Sequence, residues 1–232
     1  MTTTEFKKWL LDIFFPNRCP FCNCLIKWDK LCCEKCEEEI KDISSIVCNG
    51  CGKMNCICNN VIYDKCYVIS PYDNKARQGI INLKLNNGFN CAEYYAKKLV
   101  NNIKANNDVI DYIIPVPMTK SKIHKRGYNQ AEIIANFISE TLNLTVRTDV
   151  LYKLNSNIEQ HNLTEEQRKK NASEIFYIND INLQGKVVLL CDDVITTGAT
   201  LNSCSKLLKK AGASKVICAV CNTTLIKSQK IE

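Results

Sequence analysis

The run from Lys186 to Leu201, KVVLLCDDVITTGATL, constrains the fold more than any other stretch of the chain. A continuous apolar strand, Lys186 to Leu190, runs into two acids, Asp192 and Asp193. A short Thr- and Gly-rich turn follows, and a helix from Leu201 to Ala211 is stopped at Gly212. A strand delivered through a tight turn into a helix is one step of an α/β sheet. In such sheets ligands bind beyond the carboxyl ends of the strands, where this turn lies.

The rest of the chain agrees. Val61 to Ser70 reads as a β-rich strand, and Ala76–Leu85 and Cys91–Ile103 have helical spacing. Tyr112-Ile113-Ile114 is a buried strand closed by Pro115. Gln130–Leu142 is a helix with Ile133, Ile134, Phe137 and Ile138 on one face, and Lys215–Val220 is a last strand. Asn155–Asn162 is polar and irregular, a mobile loop. Strands alternating with helices predict a parallel α/β sheet over residues 61–232. Residues 1–60 form a separate, cysteine-rich module.

The turn has a chemistry of its own. Helix N-termini carry unpaired N–H groups and a partial positive charge. A phosphate placed there accepts from the backbone of Thr196, Thr197, Gly198, Ala199 and Thr200. Gly198 lets the backbone approach closely, and the three threonine hydroxyls add donors. Asp192 and Asp193 would repel a phosphate, but they suit the two hydroxyls of a ribose. Together these features specify a phosphorylated sugar. The chain has no loop ending in Gly-Lys-Ser/Thr and no GxGxxG, which argues against a P-loop hydrolase and a dinucleotide fold.

DDVITTGAT resembles the ribose-phosphate signature of type I phosphoribosyltransferases. IIPVPMTKSKIHKRGYNQAEIIA, and the series Gln160, Leu163, Arg168 and Asn171 before Phe176, resemble the ComF (ComF/GntX) competence family. The resemblance implies a phosphoribosyltransferase-like parallel sheet flanked by helices and preceded by a small zinc-ribbon module. It implies binding of 5-phosphoribosyl 1-diphosphate (PRPP) with Mg²⁺. It places the diphosphate on the loop from Pro115 to Arg126 and the residues after it, with Lys120, Lys125, Arg126, Asn129 and Gln130 as contacts. The sequence from Tyr112 to Ala131 contains no acid and clusters Lys120, Lys122, Lys125 and Arg126, as a diphosphate site requires. Two positions depart from the family pattern, Lys153 standing for an Arg and Asn157 for a Thr. Lysine lacks the planar fork of arginine. Catalysis would be displacement at the anomeric carbon, with Asp192 and Asp193 positioning the sugar. His124 and His161 are the only histidines, and neither is a clear general base.

Ten of the sixteen cysteines lie between Cys19 and Cys58. They pair as Cys19/Cys22, Cys33/Cys36, Cys48/Cys51 and Cys56/Cys58, with Cys24 and Cys32 spare. Two CxxC turns complete a tetrahedron, so the pairs imply one or two structural Zn²⁺ ions. Redox chemistry would place a single CxxC at a helix start, unlike this cluster. Cys66, Cys91, Cys191, Cys204, Cys218 and Cys221 read as small buried hydrophobes.

Residues 1–60 hold eight basic and eight acidic side chains; residues 61–232 hold 23 and 16, the whole net charge of +7. Two Zn²⁺ sites of four thiolates each would take the module to about −4. That suits a folded cap or protein-docking element better than a DNA grip. Trp9, Leu10, Ile13 and Phe14 have the spacing of a short amphipathic helix. No apolar run is long enough to span a membrane, and the start lacks the pattern of a secretory signal, which points to the cytoplasm. Two functions remain open. One is a phosphoribosyl transferase acting on an unidentified acceptor. The other is a non-catalytic protein that binds phosphosugars or single-stranded DNA and acts with a helicase, as the family's link to DNA uptake implies.

Overall fold

The computed structural model describes residues 16–54, 58, 61–85, 88–154 and 176–224. The expected helix around Trp9, Cys56, the Asn155–Asn162 loop with Asn157, and the series Gln160, His161, Leu163, Arg168 and Asn171 lie outside these residues. In chain order the elements are α1 (Glu34–Glu39), β1 (Lys65–Pro71), α2 (Asn74–Leu85), α3 (Phe89–Ala105), β2 (Tyr112–Pro115), α4 (Lys120–Arg126), α5 (Gln130–Leu142), β3 (Thr145–Val146), β4 (Leu151–Lys153), β5 (Phe176–Ile178), β6 (Val187–Ile195), α6 (Ala199–Lys210) and β7 (Lys215–Thr223).

Five strands make a parallel sheet in the order β1-β7-β6-β2-β3, and β4 pairs antiparallel with β5. The central strands are apolar on both faces because both are covered. Along β6, Leu189 and Cys191 join one core with Ile80, Leu99 and Ile134 of α2, α3 and α5. Val188 and Leu190 join the opposite core with Leu201 and Leu208 of α6. All six scattered cysteines are fully buried. Burial pushes the Cys191 and Cys204 thiols well above their ordinary range, so they act as packing groups.

The cysteine module closes the open edge of this sheet. β1 is an edge strand, and such edges need cover. Ile43 N–H donates to Ile69 O at 2.8 Å, and Cys66 N–H donates to Asn49 O at 2.7 Å. From that edge the module reaches both faces: Cys19, Phe21 and Cys36 join the core of α2 and α3, while Ile43 and Val47 join the other. Phe21 meets Tyr94 and Tyr95 edge-on, with centroids 5.1 and 6.1 Å away.

Three boundaries differ from expectation. β1 begins at Lys65 rather than Val61, because Ile62 N–H donates to Asn202 Oδ1 and Tyr63 is held by the module. The expected diphosphate loop contains the helix α4, which Gly127 ends in a left-handed conformation (φ 89°). β6 continues through Asp192 and Asp193 to Ile195. No described helix is long and apolar enough to cross a membrane.

Candidate functional site

The site lies at the carboxyl end of β6. The turn Thr196-Thr197-Gly198 leads into α6, with Gly198 as N-cap in the left-handed region (φ 84°). A glycine cap brings no side-chain oxygen to the first turn. Thr197 Oγ1 accepts from Ala199 N–H at 3.3 Å. Thr196, Thr197 and Ala199 are exposed, Thr200 is half-buried and Gly198 is buried. The turn therefore presents hydroxyls and helix-end N–H groups to solvent, as an anion site needs.

Because both acids belong to β6, their side chains leave the sheet on opposite faces. Asp193 Oδ2 lies 2.6 Å from Lys84 Nζ at the end of α2. Asp192 Oδ1 accepts from Asp193 N–H at 2.8 Å. Burial pushes the Asp192 carboxyl up to about 8, and the neighbouring Asp193 charge adds to the rise; the Asp193 N–H and the Lys84 charge oppose it. A half-buried carboxyl at a strand end and poised in this range suits a ligand-binding role. Lys153 in β4 faces the same region: burial and the charge of Lys122 lower its pKa, while Asp192 holds it up. The Lys153 ammonium itself lies 4.7 Å over the Phe176 ring.

The basic segment is more divided than its sequence suggests. Lys120 and Lys125 are exposed on α4. Arg126 is half-buried and its Nη1 donates to Gln130 Oε1. Gln130 is 2% exposed, and its Nε2 is buried with no hydrogen-bond partner among the described residues. Asn129 is committed at both ends of its amide: Nδ2 donates to Val116 O at 2.9 Å, and Oδ1 caps α5 through Ala131 N–H at 3.1 Å. Asn129 thereby shapes the segment that follows α4. Tyr128 donates to Leu83 O and meets Phe89 edge-on at 5.0 Å. This fastens the RGYNQ segment to the end of α2, one residue from Lys84.

Lys84 is a site residue that sequence reading missed. It lies in a helix of ordinary composition, and only the fold brings it to Asp193. Lys53 is another: from the cysteine module, its Nζ donates to Thr197 O at 2.8 Å.

The cysteines gather as two groups. The sulfurs of Cys19, Cys22, Cys33 and Cys36 all lie within 4.8 Å of one another, as do those of Cys48, Cys51 and Cys58. Tetrahedral Zn–S bonds of about 2.3 Å set sulfurs about 3.8 Å apart, so both groups fit a Zn²⁺ ion. Cys56, the expected fourth ligand of the second group, lies outside the described residues. Cys32 instead donates to Cys33 O and Glu37. Cys24 lies 3.4 Å from Cys22 at the rim of the first group. These groups are built to hold the module together.

The family described as phosphoribosyl transferase domain matches residues 87–227, more than half of the chain. The family described as double zinc ribbon domain matches residues 10–67. The chain is 29% identical to competence protein F of Haemophilus influenzae over 221 residues, covering 88% of this chain and 95% of that protein. It is 24% identical to competence protein ComFC of Bacillus subtilis over 225 residues, covering 88% and 87%. It is 30% identical to DNA utilization protein YhgH of Shigella flexneri over 114 residues, 49% of this chain and half of that protein's length.

Proposed function

Because this chain belongs to the phosphoribosyl transferase domain family and, within it, to the ComF family of competence proteins, we propose that it binds PRPP with Mg²⁺ at the end of β6 and transfers the phosphoribosyl group. Relatives named for competence and DNA utilization support a role in DNA uptake or use. The observation that carries the proposal is the convergence of the glycine-capped helix turn 196–200 with Asp192, Asp193 and Lys84 at one strand end.

In this reading the turn holds the 5-phosphate through backbone N–H groups and threonine hydroxyls. Asp192 and Asp193 accept from the ribose hydroxyls. The cations at Lys122, Arg126 and Lys153 face the diphosphate. Mg²⁺ binds through one or two carboxylates together with substrate phosphates, so Asp192 and Asp193 fit it without an all-protein cage. When bound, it neutralises charge on the leaving diphosphate. In the transfer the C1–O bond breaks with its electron pair remaining on diphosphate, and a lone pair of the acceptor forms the new bond to C1. The fixed charges of the site stabilise this separation without reorganising.

The test is to incubate zinc-loaded protein with PRPP, Mg²⁺ and candidate acceptors, including nucleobases and single-stranded DNA, and to follow diphosphate release. Release that depends on acceptor and disappears in Asp193→Asn supports transfer. PRPP or DNA binding without release under any acceptor would make this a sensing or DNA-binding protein instead.

A further inference from the structure

The second cysteine group sits beside the phosphate turn: one contact joins them directly, and the segment that follows the module, Ile62 and Tyr63, bridges the group, the turn and α6. Lys53 Nζ donates to Thr197 O at 2.8 Å. Ile62 N–H donates to Asn202 Oδ1 of α6 at 3.0 Å. The Tyr63 hydroxyl donates to Cys51 O at 3.1 Å and lies 3.6 Å from where Gly198 would carry a Cβ. The knuckle turn itself places Lys53: Gly52 N–H donates to Cys48 O at 2.8 Å, and Cys48 N–H donates to Lys53 O at 3.1 Å.

The Thr197–Gly198 peptide is trans, as are all the described peptides. In a planar trans peptide the carbonyl and the following N–H point in opposite directions. A lysine that holds the Thr197 carbonyl on the module side therefore turns the Gly198 N–H away from the module. Lys53 of the module and Tyr63, which the module holds, already occupy that side of the turn. A phosphate that accepts from the Gly198 N–H approaches the turn from the other side, where that N–H points. Glycine at 198 permits this peptide orientation, because its φ of 84° is one that L side chains rarely adopt.

We propose that Lys53 is a positioning residue for the phosphate turn: by holding the Thr197 carbonyl it aims the Gly198 N–H at the ribose phosphate. The zinc-ribbon module thereby becomes part of the sugar-phosphate site. This inference rests on the reading that the turn binds a ribose phosphate.

The test uses the full, zinc-loaded chain as wild type, Lys53→Met, Lys53→Arg and, as a module control, Lys41→Met. Ribose 5-phosphate is the probe and inorganic diphosphate the comparison ligand. Without ligand, Lys53→Met shifts the Thr197 carbonyl carbon resonance, and Lys53→Arg and Lys41→Met do so far less. With ribose 5-phosphate, the wild-type Gly198 amide moves downfield as it donates. In Lys53→Met that movement shrinks and Kd rises about tenfold, as expected for one lost bond to a charged group. Diphosphate affinity stays the same, and Lys53→Arg recovers most of the loss. Wild type and Lys53→Met that bind ribose 5-phosphate equally, with the same Gly198 movement, would overturn the role of Lys53 and leave the phosphate turn standing. A wild type whose Gly198 amide ignores ribose 5-phosphate would overturn the turn's function and the role of Lys53 with it.

Discussion

Gly79 → Ala reverses the usual sign of a helix substitution. Gly79 is buried inside α2. In an ordinary helix interior, replacing Gly by Ala gains about 1 kcal/mol from propensity. Here the added Cβ would lie 2.4 and 2.5 Å from Phe21 Cε1 and Cδ1, and 3.0 Å from Cys91 Sγ. The Phe21 ring has little room to retreat, since it is 1% exposed and packed edge-on against Tyr94 and Tyr95. Overpacking a filled core costs about 1–3 kcal/mol, and a contact this close belongs at the upper end. The expected net effect is a loss of about 1–2 kcal/mol, once the propensity gain of about 1 kcal/mol is subtracted. The assay is urea unfolding of zinc-loaded protein, in wild type and in a Phe21→Ala background. Phe21→Ala alone costs about 3–5 kcal/mol. It also empties the space beside Gly79, so Gly79→Ala then stabilises by up to about 1 kcal/mol. A Gly79→Ala that stabilises both backgrounds equally would refute the packing of the module's Phe21 against α2.

Three further outcomes follow from the site and the cysteines. The raised Asp192 pKa favours the protonated carboxyl in the fold. That contribution to stability is complete below the ordinary value of 3.8 and is lost as pH rises through about 8. Ionised Asp192 is the form that accepts ligand hydroxyls or Mg²⁺. Calorimetry at pH 7 in buffers of different ionisation enthalpy will therefore show proton release on binding PRPP with Mg²⁺, and Asp192→Asn will abolish it. Lys84→Met leaves the half-buried Asp193 carboxylate without its 2.6 Å partner and costs about 2 kcal/mol in denaturant unfolding. Asp193→Asn in the same background restores most of that loss. Elemental analysis will find two zinc ions per chain, with Cys33→Ser losing one and Cys48→Ser losing the other.

Sequence reading succeeded where the determinants are local. The apolar runs of β2, β6 and β7 announced a doubly covered parallel sheet, and the apolar spacing of Gln130–Leu142 announced α5. CxxC spacing picked out the pairs, because each turn brings its own two thiols together; which pairs share a site was open in the sequence, and the fold sets Cys19 and Cys22 beside Cys33 and Cys36. It failed where a contact spans the chain. Lys53 and Thr197 are 144 residues apart in sequence, and nothing near either one marks the pairing. Lys84 reaches Asp193 only because α2 ends beside β6. The acids were expected after the strand, since charge usually ends an apolar run. β6 instead carries both through to Ile195, where the strand end opens toward the site. The resemblance placed a loop over Pro115–Arg126; α4 forms within it without an apolar stripe that sequence could show, since none of its residues is buried. The structural duty of Asn129 was not legible either: its amide ties Val116 to the start of α5, two contacts that no local pattern marks.

The most direct test of the central claim is isothermal titration of PRPP with Mg²⁺ into the intact, zinc-loaded protein, with Asp192→Asn/Asp193→Asn as control. Saturable one-to-one binding that the double variant loses, while its melting curve stays cooperative, is the predicted result. Folded wild-type protein that takes up no heat from PRPP across pH 7 to 9 would contradict a ribose-phosphate site at the end of β6.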